Sequence, residues 1–112
     1  MEQLPALPPA ALHVLIALWE GDRHGYAIMQ DVAERTGGKV KLSPGTLYGS
    51  IKRMLELGLI EEVRQNEIEK GGERRRYYRA TALGRKAAQA EVTRITEVLE
   101  QAKSHGLVPQ IG

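Results

Sequence analysis

Cysteine is missing from all 112 residues, so the chain can build neither a disulfide framework nor a thiolate metal site. Long hydrophobic runs are missing too. The longest, residues 10 to 19, contains His13 and covers about half of the ~20 residues a membrane span needs. The opening Met1-Glu2-Gln3-Leu4-Pro5 lacks the basic start and apolar stretch of a secretory signal. No membrane partner and a cytoplasmic location are expected. Charge of one sign is also scarce: 16 Lys and Arg against 14 Asp and Glu leave +2, so a case for nucleic acid cannot rest on the total. Catalytic groupings are equally sparse. His13, His24 and His105 are far apart, without metal-ligand spacing, and neither a Gly-x-Ser-x-Gly elbow nor a phosphate loop occurs. No enzyme, cofactor or metal is expected.

What remains is an ordinary globular balance, 42% hydrophobic and 27% charged, in a length suited to one modest core. Pro8 and Pro9 suit a helix start, and Leu12, Leu15, Ile16 and Trp19 recur at helical spacing, which predicts a helix over residues 8–20. After Gly21 a second helical pattern places Tyr26, Met29, Val32 and Ala33 on its packed side, and Gly37-Gly38 ends it. The third helix opens on Ser43 as N-cap with Pro44 at its first position. Its apolar stripe is Leu47, Ile51, Met54 and Leu55, and it runs to Leu57, where Gly58 stops it.

Two strand-like runs follow, residues 59–66 and 74–81, with Gly71-Gly72 marking the turn. Their charges are segregated. Residues 61–69 hold four acids and one base, whereas residues 70–79 hold five bases and one acid. Thr81 can cap a last helix reaching about His105, with Gly106 and Pro109 as terminators. Along it Ala88, Val92, Ile95, Leu99 and Ala102 form a heptad seam longer than a three-helix core needs, which asks for a second subunit. The expected fold is α+β, mostly α: a winged helix-turn-helix of three helices and a two-stranded wing, plus a long C-terminal dimerisation helix. The expected division is residues 1–80 for DNA binding, 81–105 for the dimer helix and 106–112 as a flexible tail.

A helix entering the major groove must bring its N-terminal backbone close to the duplex. Gly45 and Gly49 remove bulk there, Ser43, Thr46, Ser50 and Tyr48 offer hydroxyls, and Lys52 and Arg53 follow with charge. Capping alone also accounts for Ser43 and Pro44, and packing against the wing for Tyr48. In the wing, Lys70, Arg74 and Arg75 are the candidate phosphate contacts, with strand alternation placing Arg75 opposite Arg74 and Arg76. Some of these arginines could instead balance Glu61, Glu62, Glu67 or Glu69 across the hairpin.

Leu47-Tyr48, Leu57-Gly58-Leu59-Ile60, the run from Arg76 through Tyr77-Tyr78 to Thr81-Ala82-Leu83-Gly84-Arg85, and His24-Gly25-Tyr26 resemble the PadR family of transcriptional regulators over residues 10–104. The resemblance implies a homodimeric winged-helix repressor on a pseudo-palindromic double-stranded operator, released in some members by a small-molecule effector. It gives residues 43–53 the recognition role and residues 59–81 the wing role. Its dimer surface falls on Leu12, Leu15 and Trp19 together with Ala88, Val92, Ile95, Leu99 and Ala102. Gly49 stands where the family commonly has proline. Trp19 lies in the first helix rather than the dimer helix, where some relatives clasp flat drugs between tryptophans. The alternative is a winged helix used as a protein-interaction adaptor without specific DNA binding.

Overall fold

The computed structural model describes residues 4–63 and 75–108. In chain order these form α1 (Pro9–Ala17), β1 (Arg23–His24), α2 (Gly25–Arg35), α3 (Pro44–Glu56), β2 (Ile60–Val63), β3 (Tyr77–Ala80) and α4 (Ala82–Ser104). The wing tip, including Lys70, Gly71-Gly72 and Arg74, lies outside the described residues, as does the tail beyond residue 108.

Helix α1 touches α2, α3 and α4, and the core closes around it. Val14, Leu15 and Leu18 meet Ile28 and Val32 of α2, Leu47, Ile51 and Met54 of α3, and Ala87 and Ala88 of α4. Leu15 is 0% exposed and Ala88 only 3%. Both were expected at a subunit interface, yet the chain's own core already encloses them.

Helix α1 is shorter than its apolar periodicity predicts. The Leu18 N–H is shared between the Val14 and Leu15 carbonyls, that of Trp19 bonds to Ile16 three residues back, and Arg23 Nε donates to the Ala17 carbonyl at 2.8 Å. The chain thereby turns back at residue 18, leaving Trp19 beyond the helix. There the Arg85 guanidinium lies 4.6 Å from the indole centroid and donates to the Trp19 carbonyl at 2.9 Å.

That reversal delivers a strand absent from the sequence reading. β1 pairs antiparallel with β3, matching Arg23 to Tyr78 and His24 to Tyr77, and β2 pairs on the other side of β3, matching Glu61 to Arg79. The sheet order is β1-β3-β2, so the wing is a three-stranded sheet anchored beside the start of α2. In α2 the buried pair is Ile28 and Val32, one turn apart. Tyr26, predicted on the packed side, is 59% exposed instead.

The end of α3 is closed by backbone geometry. Gly58 has φ 75°, the left-handed conformation that glycine adopts without steric cost, while its N–H bonds to Leu55 and that of Leu59 bonds to Met54 at 2.9 Å. Leu59 is thus spent on terminating the helix, and β2 begins one residue later. Thr81 then joins α3 to α4: its hydroxyl donates to the Gly58 carbonyl at 2.6 Å and accepts from the Gly84 N–H at 3.0 Å, capping α4.

Candidate nucleic-acid interface

Helix α3 buries Leu47, Ile51 and Met54 and turns the opposite face outward. Ser43 accepts from the Thr46 N–H at 3.2 Å and its hydroxyl also lies 3.1 Å from that of Thr46, so the cap fixes the side chain beside it. Ser43, Gly45, Thr46, Tyr48, Gly49, Lys52 and Arg53 are exposed, whereas Ser50 is half-buried on the flank beside the N-terminal segment. Nothing lies within 4 Å of where a Cβ would stand on Gly45 or Gly49. The backbone there is open to a groove-sized partner. Leu55, predicted in the apolar stripe, is 37% exposed on the other flank.

Tyr48 leaves α3 toward α2. Its ring and hydroxyl occupy the space that a side chain on Gly25 would need, so glycine at 25 is what lets the two helices share this phenol. Tyr26 and Tyr48 then line one cavity of about 370 Å³ with His24, Arg75 and Arg76. Strand alternation was expected to separate Arg75 from Arg76. Both precede β3 and so escape its alternation, and both reach the same cavity.

His24 holds this corner together. It caps α2 through Nδ1, which accepts from the Ala27 N–H at 3.1 Å, and it stands edge-on to the Tyr77 ring at 5.3 Å. Its Nε2 lies 2.9 Å from Arg75 Nη1. Beneath, Tyr78 is 3% exposed, and burial foremost, then the negative charge of Glu62, pushes its phenol above the usual range.

Of the wing charges predicted to balance each other, Arg79 and Glu61 do so, at 3.0 Å across directly paired positions of β3 and β2. Both are about half exposed, so the pair contributes at most ~1 kcal/mol. Tyr26 and His24 were not among the sequence-derived contacts. The signal that could have found Tyr26 is the Ile28/Val32 pair, whose spacing turns residue 26 away from the core.

The second surface lies along α4. Beyond Ala88 the predicted seam is mostly uncovered: Val92, Ile95 and Leu99 are exposed and Ala102 is half-buried, and Val98 beside the seam and Ile16 of α1 are exposed as well. Between α1, α2 and α4 runs a groove of about 630 Å³. Leu12, Trp19, Ala88 and Val92 form its apolar lining, and Arg23, Asp31 and Arg35 its polar side. Arg35 bonds Asp31 at 2.8 Å and Arg23 lies 3.8 Å from it, so two cations share one carboxylate. No helix among the described residues is long and apolar enough to cross a membrane, and no cluster of metal-ligating side chains occurs among them.

Residues 14–90 match the family model described as transcriptional regulator PadR-like family. Uncharacterized protein X of Lysinibacillus sphaericus is 34% identical over 87 residues, 78% of each chain. A PadR family transcription regulator from Clostridium difficile R20291 superposes with a TM-score of 0.76 at 28% identity, over 88% of this chain and 98% of its own. Bacillus subtilis PadR, solved in complex with operator DNA, shares the fold at a TM-score of 0.65 and 19% identity, over 75% of this chain and 46% of that one.

Proposed function

Because the chain belongs to the PadR-like family of transcriptional regulators, we propose that it is a homodimeric, sequence-specific repressor of double-stranded DNA. The observation that carries this reading is the outward face of α3. An open backbone at Gly45 and Gly49 is followed by Lys52 and Arg53, and Arg75 and Arg76 stand beyond the Tyr48 flank. A major groove admits a helix of this kind, with the wing beside it on the backbone. The operator complex of the Bacillus subtilis protein supports the same docking for this fold.

A second copy supplies the rest. Val92, Ile95, Val98 and Leu99 form an apolar strip on a helix that has left its own core, and a two-fold pairing would cover it. Ile16, with Leu12 and Trp19 on the groove wall, extends the strip onto α1. A small-molecule effector, where one acts, would compete for the groove between α1 and α4, where an apolar body and a cationic edge are both offered.

Selection of bound duplexes from a random pool tests the function. The expected winner is a pseudo-palindrome with half-sites about one helical turn, ~34 Å, apart, bound with an affinity that falls steeply as salt rises. A protein with no duplex preference at low salt would instead be an adaptor for other proteins. On that operator, Thr46→Ala and Ser50→Ala should change which bases are preferred, at ~1 to 3 kcal/mol per lost base contact. Unchanged selectivity in both variants would place base reading elsewhere on α3.

A further inference from the structure

We propose that Gly25 is a positioning residue for DNA reading: it gives the Tyr48 phenol a seat on α2 and so keeps the front of α3 clear for the major groove. The inference rests on the DNA-binding reading above and adds to it a residue that acts without touching the duplex.

Backbone demands do not account for glycine at this position. The left-handed glycines among the described residues are Gly37, Gly38, Gly58 and Gly106, so Gly25 opens α2 without the positive φ that would call for one. Helices favour alanine over glycine, and this buried site would give a methyl group apolar contact besides. The remaining reason is space. A Cβ on residue 25 would meet the Tyr48 hydroxyl outright and would lie 2.9 Å from its Cζ and 3.1 Å from its Cε1. The phenol rests on bare backbone. On its other side it lines the same cavity as Tyr78, which is buried, so β3 supplies a second wall to the seat.

Where the ring goes without that seat decides the consequence. Tyr48 stands at the edge of the outward face formed by Gly45, Gly49, Lys52 and Arg53, and it is 49% exposed. An aromatic side chain on a helix has two favoured χ1 wells, and both lean back toward the residues three and four positions earlier. Three before Tyr48 is Gly45, where nothing lies within 4 Å of a would-be Cβ. A ring turned out of its seat would settle across that opening. A major groove ~12 Å wide, filled by a helix ~10 to 12 Å across, has no room for the added thickness. Glycine at 25 therefore acts on α3 from another helix, by holding the phenol aside.

The test uses the full chain and the duplex it selects, in a double-mutant cycle over the two residues. Gly25→Ala should remain folded in urea unfolding, because the group that must yield is the end of a half-exposed side chain. Its operator affinity should fall about ten-fold, the result when the front is open in only about one molecule in ten. The dependence of affinity on salt should keep its slope, since no phosphate contact is lost. Tyr48→Ala alone should change affinity less than about three-fold, and the double variant should match it, because an alanine at 25 then has nothing to displace. Restored binding on removal of the phenol is the outcome that a purely structural glycine would not give. If wild type binds the duplex but Gly25→Ala binds it equally, or the double variant stays as weak as Gly25→Ala, the positioning role is refuted while DNA binding stands. A comparable loss in Tyr48→Ala alone would make the phenol a DNA contact and refute it as well, as would a Gly25→Ala chain that cannot fold. If wild type prefers no duplex at all, both readings fall.

Discussion

Gly84→Ala should lower the melting temperature by roughly 15 °C or more, one of the largest effects of any single methyl group in this chain. A Cβ on residue 84 would land on the Leu59 carbonyl oxygen, and the Leu15 Cδ2 methyl would sit 3.2 Å from it on another side. That carbonyl is not a flexible tip. It accepts from the Thr81 N–H at 3.1 Å in the turn that joins the sheet to α4. Relief requires lifting the first turn of α4 from the core, at a cost of about 3 to 5 kcal/mol in a domain whose whole stability is of that order or a few times larger. Gly45→Ala is the matched control. Open space surrounds that position and its helical backbone accepts alanine, so stability should rise by about 0.5 to 1 kcal/mol. Urea and thermal unfolding of the two proteins decide it; a Gly84→Ala protein melting within a few degrees of wild type would mean the junction yields easily.

If the chain pairs through α4 as proposed, Ile95→Asp should leave it folded but monomeric. Ile95 is 44% exposed and lies more than a turn past Ala88, where α4 leaves its own core. Its burial in a partner would contribute about 1.5 to 3 kcal/mol per copy, and a carboxylate in its place reverses the sign of that contribution. Operator affinity should fall about 10²- to 10⁴-fold, since two half-sites joined by one dimer bind through effective concentration that a monomer forfeits. Sedimentation reads the mass and operator binding reads the consequence. A stable Ile95→Asp dimer would remove α4 as the pairing surface.

Local chemistry was legible along the chain and distant pairing was not. Ser43 and Thr81 cap, and Gly58 and Gly106 terminate, because such signals act within a few residues of themselves. β1 left no trace, since Arg23 and His24 become a strand only through the backbones of Tyr77 and Tyr78 more than fifty positions away. Leu15 satisfied the same periodicity as Leu12, and nothing in spacing says which of two apolar faces meets the protomer's own core. The hydroxyl and glycine positions of α3 were readable at a helix front. The meeting of His24 with Arg75 was not, because it follows from β1.

The Thr81 bridge bears on how such a protein counts base pairs. By bonding the Gly58 carbonyl and the Gly84 N–H at once, it ties the exit of α3 directly to the entry of α4. In a two-fold pair, the crossing of the α4 helices would then act as calipers for the recognition helices. A displacement of only ~3.4 Å at the jaws is a full base-pair step. Recognition of spacing would therefore be stored far from the duplex, in residues that never touch it. An evolving lineage could retune its operator by changing the crossing while leaving every DNA-facing side chain as it is.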